Sequence, residues 1–370
     1  MTHRLFAAAA IVALFLLGGA APGFAQEGVP PDAYAHVNAA LVENHVLPRY
    51  QRLAAETGAL DDAVARFCAG PDAAGLATVR ARYHDAMDAW MGVRHLNFGP
   101  VELLMRGYRL YFWPEARGKI GSAVSELLAA GDAAALTPDR FRRASVAAQG
   151  LPAAEYLLYG DATATWGRKG HRCELLAAIS GNMRRMADGI RADWQDGDAA
   201  FTRSVTGPGP DKPRFRTHQD ATLAFFKGFH GGLQLIADVK LTPVVGATID
   251  KARPRAAESR LSGRALRNIV VNLEALQALY LGDGGPGFSD LVTAHGGDAK
   301  LDPLMRKAFD LTIANARSIE LSLGDAVKDP VERPRAEKLK TQVAALKQIV
   351  KTRVATALGL AVGFNALDGD

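Results

Sequence analysis

Ala144-Ser-Val-Ala-Ala-Gln-Gly-Leu-Pro-Ala-Ala-Glu-Tyr-Leu-Leu-Tyr-Gly160 carries a single carboxylate, Glu155, among small and apolar residues. Alanine and leucine at helical spacing read as a helix, and one this poor in polar groups packs inside the protein. Its few polar side chains then need partners or a ligand, because an unpaired buried carboxylate is costly. Pro152 cannot donate to the carbonyl of Ala148, which predicts a kink, and Gly150 eases the bend. Read as one helix, Ser145, Gln149, Pro152, Tyr156 and Tyr159 share a face, with Glu155 on its flank. Two readings of Glu155 stay open: a small site built on a buried carboxylate, or a structural residue held by an arginine of a neighbouring helix.

The same pattern continues in both directions. It predicts helices near 32–57, 74–95, 100–112, 117–130, 138–160, 171–196, 216–239, 258–281, 302–324 and 331–359, while alternating Val/Ile/Thr runs are scarce. The fold class is therefore all-α. Thr137-Pro138-Asp139, Asp302-Pro303 and Asp329-Pro330 each set a capping side chain before a proline at the first helical position. Residues 196–213, with Gly-Pro-Gly-Pro at 207–210, mark a boundary, so two packed helical bundles are expected, 26–196 and 214–370, joined by a linker at 197–213. Loops at 242–257 and 282–297 are long enough to be functional or mobile.

Residues 1–25 read as a secretory signal peptide: Arg4, an apolar stretch over 5–17, then Gly23-Phe-Ala25. That stretch is too short for a membrane span, and no later run is long enough. No cysteine follows the cleavage site, which argues against a lipoprotein and for a soluble periplasmic protein. The net charge of +5 becomes +4 without Arg4 and is spread along the chain, which speaks against nucleic-acid binding. Cys68 and Cys173 are the only cysteines. In an oxidising compartment a disulfide is expected, closing a loop worth ~4 kcal/mol in the chain-entropy model; two buried thiols, or Cys173 on a metal, are the alternatives.

Ser145–Gly160, together with Phe112-Trp-Pro114, Lys240-Leu-Thr-Pro243, Arg253-Pro-Arg-Ala-Ala-Glu-Ser-Arg260 and Gly363-Phe-Asn-Ala-Leu-Asp-Gly-Asp370, resembles the imelysin-like family along nearly the whole mature chain. The resemblance implies a two-domain helical fold with its site between the halves, and a link to iron. The family's hallmark is Gly-x-His-x-x-Glu, proposed as a metal-binding or peptidase signature. Gly150 and Glu155 match it, but Pro152 stands where the histidine belongs, so one expected ligand is missing.

Other constellations are weaker. No His-Glu-x-x-His occurs; His171-Arg-Cys-Glu174 has ligand spacing but lacks the preceding glycine, and His84 with Asp88 sits one helical turn apart. His95 is a candidate replacement ligand for Glu155, supplied from another helix. Arg253, Arg255 and Arg260 flank Glu258, and their forks suit either a buried carboxylate or an anionic ligand. Asn268 and Asn272 are placed to cross-link helices. Asp368 and Asp370 lack the rest of an EF-hand, so the tail reads as docked through Phe364. No nucleophile elbow or phosphate-binding glycine loop is present.

The expectation is a non-catalytic binding or accessory protein in metal acquisition, iron by the resemblance. Glu155 is its central acid, Gln149 and Ser145 are hydrogen-bonding neighbours, and Arg253, Arg260 and Glu258 provide orienting charges. Its ligand is iron, another divalent metal or a small anion, and an envelope protein is its expected partner. One alternative is an imelysin-type metallopeptidase, against which the lost ligand counts, since catalytic sites use three protein ligands. Another is an interaction scaffold without a small ligand.

Overall fold

The computed structural model describes residues 28–360 except 116, 161–165, 168–169 and 198–199. The expected signal peptide, and the tail with Phe364, Asp368 and Asp370, lie outside the described residues. Helices α1 (Pro31–Leu41), α2 (Leu47–Ala69), α3 (Ala73–Val93), α4 (Arg106–Leu110), α5 (Lys119–Ala130), α6 (Pro138–Phe141), α7 (Gly150–Tyr159) and α8 (His171–Gln195) form the first half. The second comprises α9 (Phe201–Thr206), α10 (His218–Gln234), α11 (Thr242–Val245), α12 (Ala265–Leu281), α13 (Phe288–His295), α14 (Leu301–Arg317), α15 (Leu323–Ala326), α16 (Arg333–Ile349) and α17 (Ala355–Ala357). No strand occurs among the described residues.

In α2 the buried residues Tyr50, Leu53, Ala54, Thr57, Leu60, Val64 and Phe67 recur every three or four positions, and that stripe packs between α3 and α8. A disulfide between Cys68 and Cys173 ties the end of α2 to the start of α8. In the second half α12 packs against α10 and α14, and α14 against α16. The halves meet where α12 lies on α3 and α10 on α1, and one continuous apolar core runs through both. Segments of π-helix at Val42–Val46 and Leu235–Leu241 interrupt this region; the first carries His45 and the second Lys240.

The region expected as an apolar-poor linker is anchored instead. It contains α9, whose Phe201 packs edge-on against Trp194 and Phe215. Several expected helices are shorter than their patterns implied: the one expected at 258–281 begins at Ala265, the one at 302–324 ends at Arg317, and the one at 331–359 is interrupted by a π-helical segment at Val350–Val354. Within 100–112 only α4 is α-helical, and within 138–160 the chain breaks into α6, a 3-10 turn at Val146–Ala148 and α7.

Candidate functional site

Pro152 kinks nothing, because α7 begins at Gly150 and the proline falls in its first turn. There its missing N–H costs no hydrogen bond, since first-turn donors have no intrahelical acceptor. The break is fixed by Gly150, whose φ is +74° and whose absent Cβ would stand 2.3 Å from the carbonyl oxygens of both Arg109 and Leu110. Only glycine tolerates that geometry. The break also divides the residues expected on one face. Ser145 is exposed and caps the 3-10 turn through Ala147 N. Gln149 is buried, accepts from Arg109 Nε and Asn182 Nδ2, and donates to Ala144 O. Neither reaches the surroundings of Glu155; the shared face assumed a continuous helix that does not exist.

Glu155 is buried, and its Oε1 accepts from the backbone N–H (2.8 Å) and hydroxyl (2.6 Å) of Ser262. Burial raises its pKa, opposed by those two hydrogen bonds. Glu155 lines a cleft of 1230 Å³ with Pro152 and Tyr156 from α7, Tyr111 and Trp113 before α5, and residues 253–257 and 259–261 from the second half. Arg253, Arg255 and Arg260 line the same cleft; all three are exposed and none forms an ion pair with a described carboxylate. The other lining acid, Glu115, accepts from the backbone N–H of Arg117.

Glu258 is not held by its flanking arginines. Its side chain turns into the core, where Oε2 meets Lys240 Nζ at 2.6 Å and Oε1 meets Arg94 Nη1 at 2.8 Å. Asn268 donates to Oε2 and Lys240 donates to Asn272 Oδ1, so both predicted asparagines serve this network. Burial pushes the Glu258 carboxyl up, but the charges of Lys240 and Arg94 more than offset this and the net shift is downward. Burial lowers Lys240 to about 8 despite its pairing. Arg94 also lies over the rings of Tyr111 and Trp113, so the network backs the cleft wall.

His95 does not join Glu155. It lines a separate cavity of 180 Å³ beside Arg94, Asn97 and Gly228, and its Nε2 lies 2.7 Å from His45 Nε2. His45 Nδ1 lies 3.0 Å from Asp283, a carboxylate that burial pushes up but hydrogen bonding from His45 and the Arg49 charge bring down overall. Arg49 Nε also points at His45 Nδ1, at 3.2 Å, so Asp283 calls for a proton on that nitrogen and Arg49 for a lone pair; with the proton on Nδ1 the shorter contact to Asp283 is the hydrogen bond. His45 Nε2 then accepts from His95 Nε2–H. The other histidine pairings are engaged as well. His84 bonds to Tyr159, Asp88 is taken by Arg264 and Arg267, and His171 Nδ1 meets Glu174 within its own turn. Among the described residues no three His, Cys, Asp or Glu side chains gather closely enough to hold a metal ion. The cleft itself offers Glu155, with one oxygen committed to Ser262 and no imidazole; a three-ligand catalytic metal does not fit these residues.

Residues 46–350 match the imelysin family, Peptidase_M75. The chain belongs to the imelysin family. Among relatives, the iron-regulated protein A of Synechococcus elongatus is 22% identical over 322 residues, covering 85% of this chain and 83% of that protein. An imelysin-like protein from Psychrobacter arcticum superposes with a TM-score of 0.74 at 17% identity, covering 91% of this chain and 98% of the other. A protein from Parabacteroides distasonis assigned as an iron-regulated protein A precursor gives 0.75 at 17%, covering 89% and 97%. These likenesses establish the all-α imelysin fold. Within it, Gly150 is required by the close backbone approach at the start of α7, and Pro152 sits in the first turn without disturbing the helix start.

Proposed function

We propose that this imelysin-family chain is an exported, periplasmic accessory protein of iron acquisition that holds an anionic ligand in the cleft between its halves and catalyses no reaction. The observation carrying this reading is that Arg253, Arg255 and Arg260 line one cleft and none is ion-paired with a described carboxylate, Arg260 reaching Glu155 only through its charge. Guanidinium forks match carboxylates in two-point contacts, so a small polycarboxylate, free or as its ferric complex, suits them. Glu155 lines the cleft, with its Oε1 held by Ser262, and offers its other carboxyl oxygen to polar groups of the ligand. The iron association rests on relatives described as iron-regulated. No helix among the described residues is long and apolar enough to cross a membrane.

Calorimetric titration of the mature chain with citrate, with its ferric complex and with ferrous salt tests this reading. The first two are expected to bind, and Arg253→Gln with Arg260→Gln to weaken them by about tenfold or more, roughly 1.4 kcal/mol. Failure of the parent to bind either polycarboxylate overturns the proposal. So does stoichiometric metal that survives dialysis and disappears in Glu155→Ala, which would make Glu155 a direct ligand. Chelator-sensitive cleavage of an unfolded protein substrate would restore the peptidase reading.

A further inference from the structure

The segment leading into α4 presents its apolar side chains outward. Leu103, Leu104, Met105 and Tyr108 are 52%, 76%, 60% and 51% exposed, a contiguous group in a chain whose other large apolar residues are mostly internal. Leu104 and Met105 are also consecutive left-handed residues, with φ of 53° and 54°. That conformation is unfavourable for side chains of this kind, and two in succession persist only where flanking contacts impose them.

Those contacts are present on both sides. Before the pair, Glu102 accepts from Gly99 N at 2.8 Å and pairs with Arg214, and Met105 N donates back to Glu102 O. After it, Arg106 binds Pro100 O at 3.2 Å and Asp193 at 2.5 Å, while Gly107 packs against Val101 and Trp90. The result is a pinned knuckle whose leucine and methionine tips are exposed, with Tyr108 set edge-on against Phe112 beside them.

Behind the tips lies positive charge. Arg106, Arg142 and Arg185 all act on Arg109. Arg106 is paired with Asp193 and Arg142 lies 3.8 Å from Asp139. Arg109 bonds to neutral acceptors, Gln149 Oε1 and Arg142 O, and Arg185 is exposed without an ion pair among the described residues. Protruding leucine and methionine with a tyrosine beside them, fringed by arginine, match the two layers of a bilayer surface: apolar tips for the acyl boundary, guanidiniums for headgroup phosphates.

We propose that the knuckle formed by Leu103, Leu104, Met105 and Tyr108 is a membrane-surface contact that inserts shallowly into a bilayer, with Arg109, Arg142 and Arg185 selecting anionic lipid headgroups. This contact is independent of the cleft and of what the cleft binds. It keeps the chain at the lipid surface without a spanning segment.

Sedimentation of the full mature chain with vesicles tests it. The parent is expected to partition about tenfold more onto phosphatidylglycerol–phosphatidylcholine vesicles than onto pure phosphatidylcholine, and to lose most of that preference in about 0.5 M salt. Leu104→Asn with Met105→Asn removes the apolar tips with residues that accept the left-handed conformation, so its Tm stays at or above the parent's. Its vesicle binding should drop by about tenfold. Arg142→Gln with Arg185→Gln should erase the anionic preference while leaving the fold intact. The proposal is overturned if the parent does not partition, or if the double-Asn variant partitions as the parent does. It is also overturned if the parent self-associates through this patch, judged by a sedimentation coefficient that the double-Asn variant lowers, while ignoring lipid.

Discussion

Glu155→Gln isolates the charge of the central acid from its hydrogen bonds. Glutamine keeps an Oε1 that accepts from both donors of Ser262 and loses only the negative charge. The raised pKa fixes the sign: burial outweighs the two hydrogen bonds, so the native carboxyl holds its proton more tightly than the unfolded one does. Charge-assisted bonds becoming neutral ones lose about 1–1.5 kcal/mol each. Removing the desolvation penalty of a buried ion returns several kcal/mol. The net is a stabilisation of about 1 kcal/mol at neutral pH. The pH dependence follows from linkage. Below the ordinary value of 4.5 the carboxyl is protonated in both states and contributes no difference. As pH rises past that value the unfolded chain ionises first, so stability falls until the native carboxyl also ionises and is level thereafter. The gain from glutamine should therefore be near zero at about pH 4 and complete near neutrality, read by urea unfolding at both. A variant less stable than the parent at neutral pH, or equally stabilised at both, would refute the reasoning. The same substitution separates ligand classes, since losing a negative charge strengthens anion binding and abolishes direct metal binding.

Gly150→Ala should destabilise by about 3 kcal/mol, combining the left-handed penalty with displacement of the Arg109 and Leu110 carbonyls; a Tm within about 2 °C of the parent would contradict the close approach. Cys68→Ser with Cys173→Ser opens a loop of 105 residues, and chain entropy predicts a loss of about 4–5 kcal/mol in guanidinium unfolding; a loss under about 1 kcal/mol would show that the unfolded chain is not constrained by this bond. Lys240→Met should change the alkaline profile. Between about 8 and 10.5 the native amine is neutral while the unfolded one still holds its proton, so the parent gains up to roughly 3 kcal/mol across that interval. The methionine variant should lack that rise, and an unchanged slope would mean that Lys240 is not the titrating group.

The all-α class was legible because alanine and leucine recur at helical spacing. The three expected proline starts held only in part: Pro138 opens α6 without a side-chain cap from Thr137, Asp302 and Pro303 both lie inside the first turn of α14, and Asp329 and Pro330 belong to a turn before α16, where Asp329 accepts from Val331 N and Glu332 N. The break before α7 was not legible. Its cause is the approach of the Arg109 and Leu110 backbone to Gly150, a contact some forty residues distant in sequence that leaves no local trace. Pro152 illustrates the same limit, since proline is costly inside a helix and harmless in its first turn, and only the break decides which applies. An arginine was the expected partner of each buried carboxylate. Glu155 instead meets Ser262, an ordinary residue in a turn, while Glu258 does meet an arginine, but it is Arg94 together with Lys240 and none of the arginines that flank it in sequence. Lys240 stood within a segment that resembled the family, yet nothing in its spacing paired it with Glu258. The disulfide was legible from compartment and cysteine count alone, and its bond removes the two alternatives of free thiols and a metal at Cys173.

Two buried cations, Arg94 and Lys240, share one carboxylate, Glu258, at the junction of the halves. Buried ion sets are seldom more stabilising than apolar packing of the same volume, so stability alone does not account for an uncompensated positive charge in this position. Its placement does. Arg94 lies over Tyr111 at 4.7 Å and Trp113 at 5.3 Å, and both rings face the cleft. The charge therefore acts through a thin aromatic wall that excludes water, where screening is weaker than in solvent. Arg253, Arg255 and Arg260 add their charges from the opposite, solvent-facing side. An anion entering the cleft is thus attracted from its floor and its rim, while Glu155, biased toward its neutral form, opposes it least at mildly acidic pH. On this argument Lys240→Met weakens anion binding without ever touching the ligand.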